Sequence, residues 1–198
     1  MSDFSDQNAN PLKKYFRQPK LYLNLPSDGK FYPDGSLDIS ETGEYAVYSM
    51  TAKDELTFKT PDALVNGQST VDVIQSCIPA IKNAWAMPSL DLDAALIAIR
   101  IATYGEYMTV TTQVPVIKEE REFQVSLQQL LEQFMQADFD DTIYVDELTI
   151  KIRPLTYKEF TQNALKTFEE QRVFAIVNDA DMSEQEKITR FNQSFKTL

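Results

Sequence analysis

Asp91-Leu-Asp-Ala-Ala-Leu-Ile-Ala-Ile-Arg-Ile-Ala-Thr-Tyr-Gly105 is the most apolar run of this 198-residue chain, and its reading decides the fold. At helical spacing Leu92, Ala95, Leu96, Ile99 and Thr103 share one face, while Ile97, Ile101 and Tyr104 share the other. A helix that is apolar nearly all round belongs at the centre of a core. Asp91 and Asp93 at its start suit capping and the helix dipole. Gly105 stands where helices usually stop. Arg100 is the exception within the run. A buried arginine demands a partner, and Glu106 or an acid of the C-terminal helices is the expected one; the alternative is an edge residue whose head snorkels to water.

Upstream the period changes. Residues 1–20 read as a flexible basic-aromatic arm, with Lys13, Lys14, Arg17 and Lys20 around Tyr15 and Phe16. Residues 21–50 are turn-rich. Pro26-Ser27-Asp28-Gly29 and Pro33-Asp34-Gly35 are strong turn signals, and the alternation in Ser36–Ser40 and Tyr45–Tyr48 suggests short strands. Helical spacing begins at Thr51, where Thr51-Ala-Lys-Asp54 resembles a capping box. Thr60-Pro61 opens a short helix that Gly67 stops, and Ser69 is expected to cap the next. Pro79 should kink or end that helix.

Downstream, Tyr107–Val116 and Glu122–Val125 read as one hairpin, and Thr142–Val145 with Leu148–Ile152 as another around Asp146-Glu147. Between them Ser126 caps a helix with Leu127, Leu130, Leu131, Phe134 and Met135 inward. Thr156-Tyr-Lys-Glu159 is a second capping box, opening a long helix striped with Phe160, Ala164, Phe168, Ala175 and Ile176. Ser183-Glu-Gln-Glu186 opens a last helix with Ile188, Phe191, Phe195 and Leu198 in register. The expectation is an α+β fold: a turn-rich short-strand N-terminal region (21–50), a helical core with two small β-hairpins (51–155), and a C-terminal helical pair (156–198).

Composition excludes more chemistry than it suggests. Hydrophobic residues make up 43% of the chain and charged residues 25%, a mix that supports a real core. The formal charge of −11 repels phosphate backbones and anionic lipid, so neither nucleic acid nor membrane is an expected partner. There is no histidine, which removes Ser-His-Asp and Cys-His nucleophiles, HExxH zinc sites and histidine bases. The single cysteine, Cys77, allows no internal disulfide and no CxxC zinc ribbon. It lies on an apolar helical stripe and reads as a core residue. No apolar run reaches the roughly 18 residues of a membrane span, and a soluble protein of a reducing compartment is expected.

What remains are carboxylates. Asp138, Asp140 and Asp141, near Asp146 and Glu147, miss the EF-hand register and lack its glycine, so they read as a solvated turn. Asp179 and Asp181 read as an interhelical loop. The five glycines never reach phosphate-loop spacing. No catalytic residue, cofactor or metal is expected. Candidate partner-binding residues are Lys13, Lys14, Tyr15, Phe16 and Arg17 of the arm, and Trp85, either a contact hot spot or a lid on the core. Phe191, Phe195 and Leu198 join them, because the chain stops inside their pattern.

Five motifs, in order, resemble one family. They are Leu25-Pro26-Ser27-x-Gly29-x-x-Tyr32, Met50-Thr51-Ala52-Lys53-Asp54-Glu55, Pro61–Leu64 with Asn66-Gly67, Asp93 through Tyr104-Gly105, and Arg153-Pro154-Leu155-Thr156-Tyr157-Lys158. From about residue 21 onward the chain is similar to the T4-type phage baseplate hub and hub-assembly family. The resemblance implies a non-enzymatic role in the hub beneath the tail tube, with other hub or tail proteins, or a second copy, as partners. It implies a location in the host cytoplasm during assembly and in the tail baseplate if the protein stays in the virion. In some relatives a Cys-Pro-x-Cys zinc knuckle follows the Tyr-Gly motif. Here Thr111–Val116 keeps Pro115 without a cysteine, so no metal role carries over. Within the resemblance, a transient assembly chaperone is the alternative. Outside it, the acidic charge also suits a binding module or DNA mimic aimed at a host protein.

Overall fold

A computed structural model describes residues 17–60, 67–113, 119–136, 139–178, 182–183 and 185–190. In chain order, β1 (Leu21–Asn24) and β2 (Glu44–Val47) precede α1 (Ala52–Phe58), α2 (Gln68–Cys77), a 3-10 turn at Ala84–Ala86 and α3 (Ser89–Tyr104). Then come β3 (Tyr107–Gln113), β4 (Glu120–Ser126), α4 (Leu127–Met135), β5 (Thr142–Val145), β6 (Leu148–Lys151) and α5 (Tyr157–Asn178). The strands form three separate antiparallel pairs, β1-β2, β3-β4 and β5-β6. This is the α+β architecture with small hairpins that the sequence suggests.

The apolar run is central, as its pattern requires. Helix α3 touches α2, α4, α5, β1 and β2. Its buried side chains are Asp91, Leu92, Ala94, Ala95, Ala98 and Ile99, and the three alanines let neighbouring elements approach closely. Leu23, Leu25 and Val47 from the first hairpin, Val71, Val73, Ile74 and Cys77 from α2, and Ile78, Ile81 and Met87 beyond it complete the core. Helix α2 ends at Cys77, two residues before Pro79, because proline disfavours helical geometry at the residue preceding it. Gly105, at φ +93°, closes α3 with its N–H on the Ile101 carbonyl at 2.9 Å.

Four expectations need correction. Helix α3 begins at Ser89, one turn before Leu92, and Asp91 does not cap it. Instead the Asp91 carboxylate is fully buried and accepts the Ser27 backbone N–H at 2.8 Å and the Ser27 hydroxyl at 2.6 Å. Burial pushes its pKa up, against the pull of these hydrogen bonds. Second, Ser69 does not cap α2. The N-cap is Gly67 at φ +78°, where an added Cβ would lie 2.9 Å from the Tyr157 hydroxyl, and the Ser69 hydroxyl is buried without a partner among the described residues. Third, Ser36–Ser40 forms no strand, since Leu37 makes only an isolated bridge to Ile81, and the partner of β2 is Leu21–Asn24. Apolar alternation there reflects Leu37 entering the core while Ile39 points to solvent.

The fourth concerns the arm. Its end is not free, because the Arg17 side chain is held by the body. Its guanidinium donates to the Ser49 carbonyl and, at 2.9 Å, to the Ser76 carbonyl, and lies 3.7 Å from Asp54 and 5.5 Å from the centre of the Tyr48 ring. Lys20 N–H donates to the Val47 carbonyl at 2.8 Å, so the chain joins the first hairpin here. Burial raises the Asp54 pKa, but hydrogen bonds from Thr51 and Ser76 and the Arg17 charge outweigh it and leave it below the ordinary value. The same Asp54 closes the Thr51 capping box at the start of α1. Lys13, Lys14, Tyr15 and Phe16 lie outside the described residues, as do the helix expected at Pro61 and the acids Asp138, Asp179 and Asp181.

Two outcomes follow for stability. Asp91→Ala strands two buried donors and should cost roughly 2–4 kcal/mol in urea unfolding; Asp91→Asn, which keeps one acceptor oxygen, should cost less. Deleting residues 1–20 should lower the melting temperature, and Arg17→Ala should reproduce most of that loss, on the order of 2 kcal/mol for a half-buried paired guanidinium.

Candidate functional site

Among the described residues, the backbone bonds that fix the long helix α5 to the body lie near its start. Ser89 N–H donates to the Leu155 carbonyl and Tyr157 N–H to the Met87 carbonyl, each at 2.8 Å, clamping the Arg153–Tyr157 segment onto the entry to α3. Thr156 and Glu159 form the capping box expected from the sequence, with Glu159 accepting the Thr156 N–H at 2.9 Å. Arg153 adds a bidentate pair to the same carboxylate at 2.8 and 2.6 Å. Half-buried Pro154 fixes the turn between them, its carbonyl accepting from Arg153 at 3.2 Å. Arg153 first, then the Thr156 hydrogen bonds, hold the Glu159 pKa down at about 2.

Trp85 lies on the 3-10 turn and stacks on buried Tyr157, ring centres 5.3 Å apart. Its outer edge lines a cleft of about 540 Å³ with Asn83, Thr156, Lys158, Thr161 and Leu165. It therefore serves both as part of the clamp and as a wall of the surface cleft.

Beyond this clamp most of the described side chains of α5 are exposed, with Leu165 and Ile176 half-buried. At 100° per residue, Tyr157, Phe160, Ala164, Phe168 and Phe174 fall within about 120° of one another. Tyr157 is docked, yet Phe160, Phe168 and Phe174 are 51%, 63% and 66% exposed. Of the stripe read from the sequence, Phe160, Ala164, Phe168 and Ala175 are exposed and Ile176 is half-buried. Likewise, the β5-β6 hairpin pairs Ile143 with Ile150 and Val145 with Leu148, and all four are more than 40% exposed. Its alternation is plain in the sequence; that its apolar face meets solvent is not.

Arg100 does not make the ion pair expected of it. It is half-buried, its guanidinium stands 4.4 Å above the Tyr104 ring, and among the described residues no carboxylate lies in ion-pair range. Cation–π contact stands in place of the salt bridge, and the Arg100 Nη1 is buried without a hydrogen-bond partner among the described residues. Among the described residues no group of three or more His, Cys, Asp or Glu could hold a metal ion. Asp140 and Asp141 instead accept from Thr142 at the entry to β5. No helix of the described residues is long and apolar enough to cross a membrane. The terminal helical stretch, residues 185–190, follows the expected Ser183–Glu186 box; Phe191, Phe195 and Leu198 lie outside the described residues.

The packed body thus carries exposed apolar side chains on one long helix and one hairpin. The family model described as T4 bacteriophage base plate protein matches residues 18–189, and the chain belongs to that family. No curated protein and no solved structure matches it.

The clamp has a pH signature. A carboxyl held at about 2, below its ordinary 4.5, contributes stability that is complete above pH 4.5 and lost as pH falls toward 2. In Glu159→Gln the acid loss of α5 helicity, followed by circular dichroism, should be smaller across that window, and the clamp weaker at neutral pH.

Proposed function

We propose that this chain is a non-enzymatic component of the contractile-tail baseplate hub, acting in its structure or assembly through contacts with other hub or tail proteins. Its family supports the phage-tail setting. The observation that carries the reading is the apolar side of α5, a 22-residue helix docked on the body at Tyr157 while Phe160, Phe168 and Phe174 stay exposed. Such a helix extends about 33 Å. Burying each exposed Phe would contribute roughly 1.5–3 kcal/mol, so three of them on one side favour a helix-in-groove or helix-on-helix contact. Assembly of this kind takes place in the host cytoplasm, before the tail is complete.

Phe168→Asp should leave the melting temperature nearly unchanged, because the side chain is exposed. It should weaken capture of baseplate proteins by about tenfold or more in pull-downs. Mass spectrometry of purified virions beside infected-cell lysate separates a resident hub component, present in both, from a transient assembly factor found in lysate alone.

A further inference from the structure

The β5-β6 hairpin carries an inference about partner chemistry, which rests on the assembly reading above. Strand register puts Ile143, Ile150, Val145 and Leu148 on one face, and Ile152 continues the alternation, its N–H on the Asp141 carbonyl at 2.7 Å. Thr142, Tyr144, Thr149 and Lys151 take the opposite face. The two strands pair with each other and, among the described residues, have no comparable contact with another element. An isolated two-stranded hairpin is marginally stable in water unless one face is packed. Here the face built to be packed is the open one.

Charge selects the occupant. Exposed Asp140 and Asp141 bound the apolar face at the strand entry, and exposed Asp146 and Glu147 bound it at the turn. Lys151 is the only base on these strands and stands on the far side. We propose that this face docks a different protein, one presenting an apolar surface rimmed by lysine and arginine. A second copy is the wrong partner: it would set this acidic rim against another chain of net charge −11. An apolar centre with a charged rim is the ordinary anatomy of a protein interface.

The test titrates the full-length chain against each purified baseplate protein of the same phage, at low and high salt. Ile150→Thr keeps a β-branched residue and should weaken binding about tenfold without shifting the melting temperature. The double variant Asp146→Asn, Glu147→Gln should slow association and flatten its salt dependence. Equal binding by both variants would overturn the proposal. So would a dimer in sedimentation equilibrium that Ile150→Thr dissolves, or a large fall in melting temperature showing that the chain itself covers the face. Variants that bind baseplate proteins normally remove this surface and leave the assembly reading standing; failure of the unaltered chain to bind any of them removes both.

Discussion

Asp91 is a carboxylate sealed in the middle of the protein, and Ser27 is what makes that tolerable. Removing a carboxylate from water costs several kcal/mol unless hydrogen bonds replace its hydration. Two short bonds from one residue, with the entry end of α3 adding its dipole, supply the replacement. The buried Tyr32 hydroxyl sits beside the same carboxylate without closing a hydrogen bond, and burial raises its pKa. The bond therefore fixes the turn after β1 onto the first turn of α3. Gly29, at φ +74°, lets that turn pass close to Leu37 and Tyr45.

The same few residues at the entry to α3 hold the other end of the protein. Asp91 N–H donates to the Pro88 carbonyl, and one step earlier Met87 and Ser89 receive the Leu155–Tyr157 segment. The N-terminal turn and the base of α5 thus meet on one short stretch of chain. That convergence holds the base of α5 against the entry to α3. The Arg153–Glu159 pair and the Trp85–Tyr157 stack stiffen the joint. A rigid joint with a bare apolar stripe beyond it loses less entropy on docking than a mobile segment would.

Arg17 fastens the remaining corner. It ties the start of the described chain to Ser49, Asp54 and Ser76, and its contact with Cys77 keeps the thiol inside a polar cap. Burial pushes the thiol pKa up, so Cys77 behaves as a small core residue. A basic residue amid other basic residues reads as part of a solvated run. Its socket comes from three segments brought together by folding.

Local features were legible in the sequence because they are made by residues three or four apart. The Thr51–Asp54 and Thr156–Glu159 boxes, the Ser126 cap, the Gly105 stop and the two downstream hairpins all form, since each depends on a short ring of hydrogen bonds or on side-chain alternation. The central place of the apolar run was legible too, from its lack of a polar face. What the chain could not declare is anything set by distant partners. Ser27 and Asp91 are 64 residues apart, and Arg17 and Ser76 are 59 apart. Nor could it declare which apolar stripes would be covered. Periodicity shows that α5 and β5-β6 each have an apolar side; only the packing of the other elements leaves those sides open, and that openness is where function is sought.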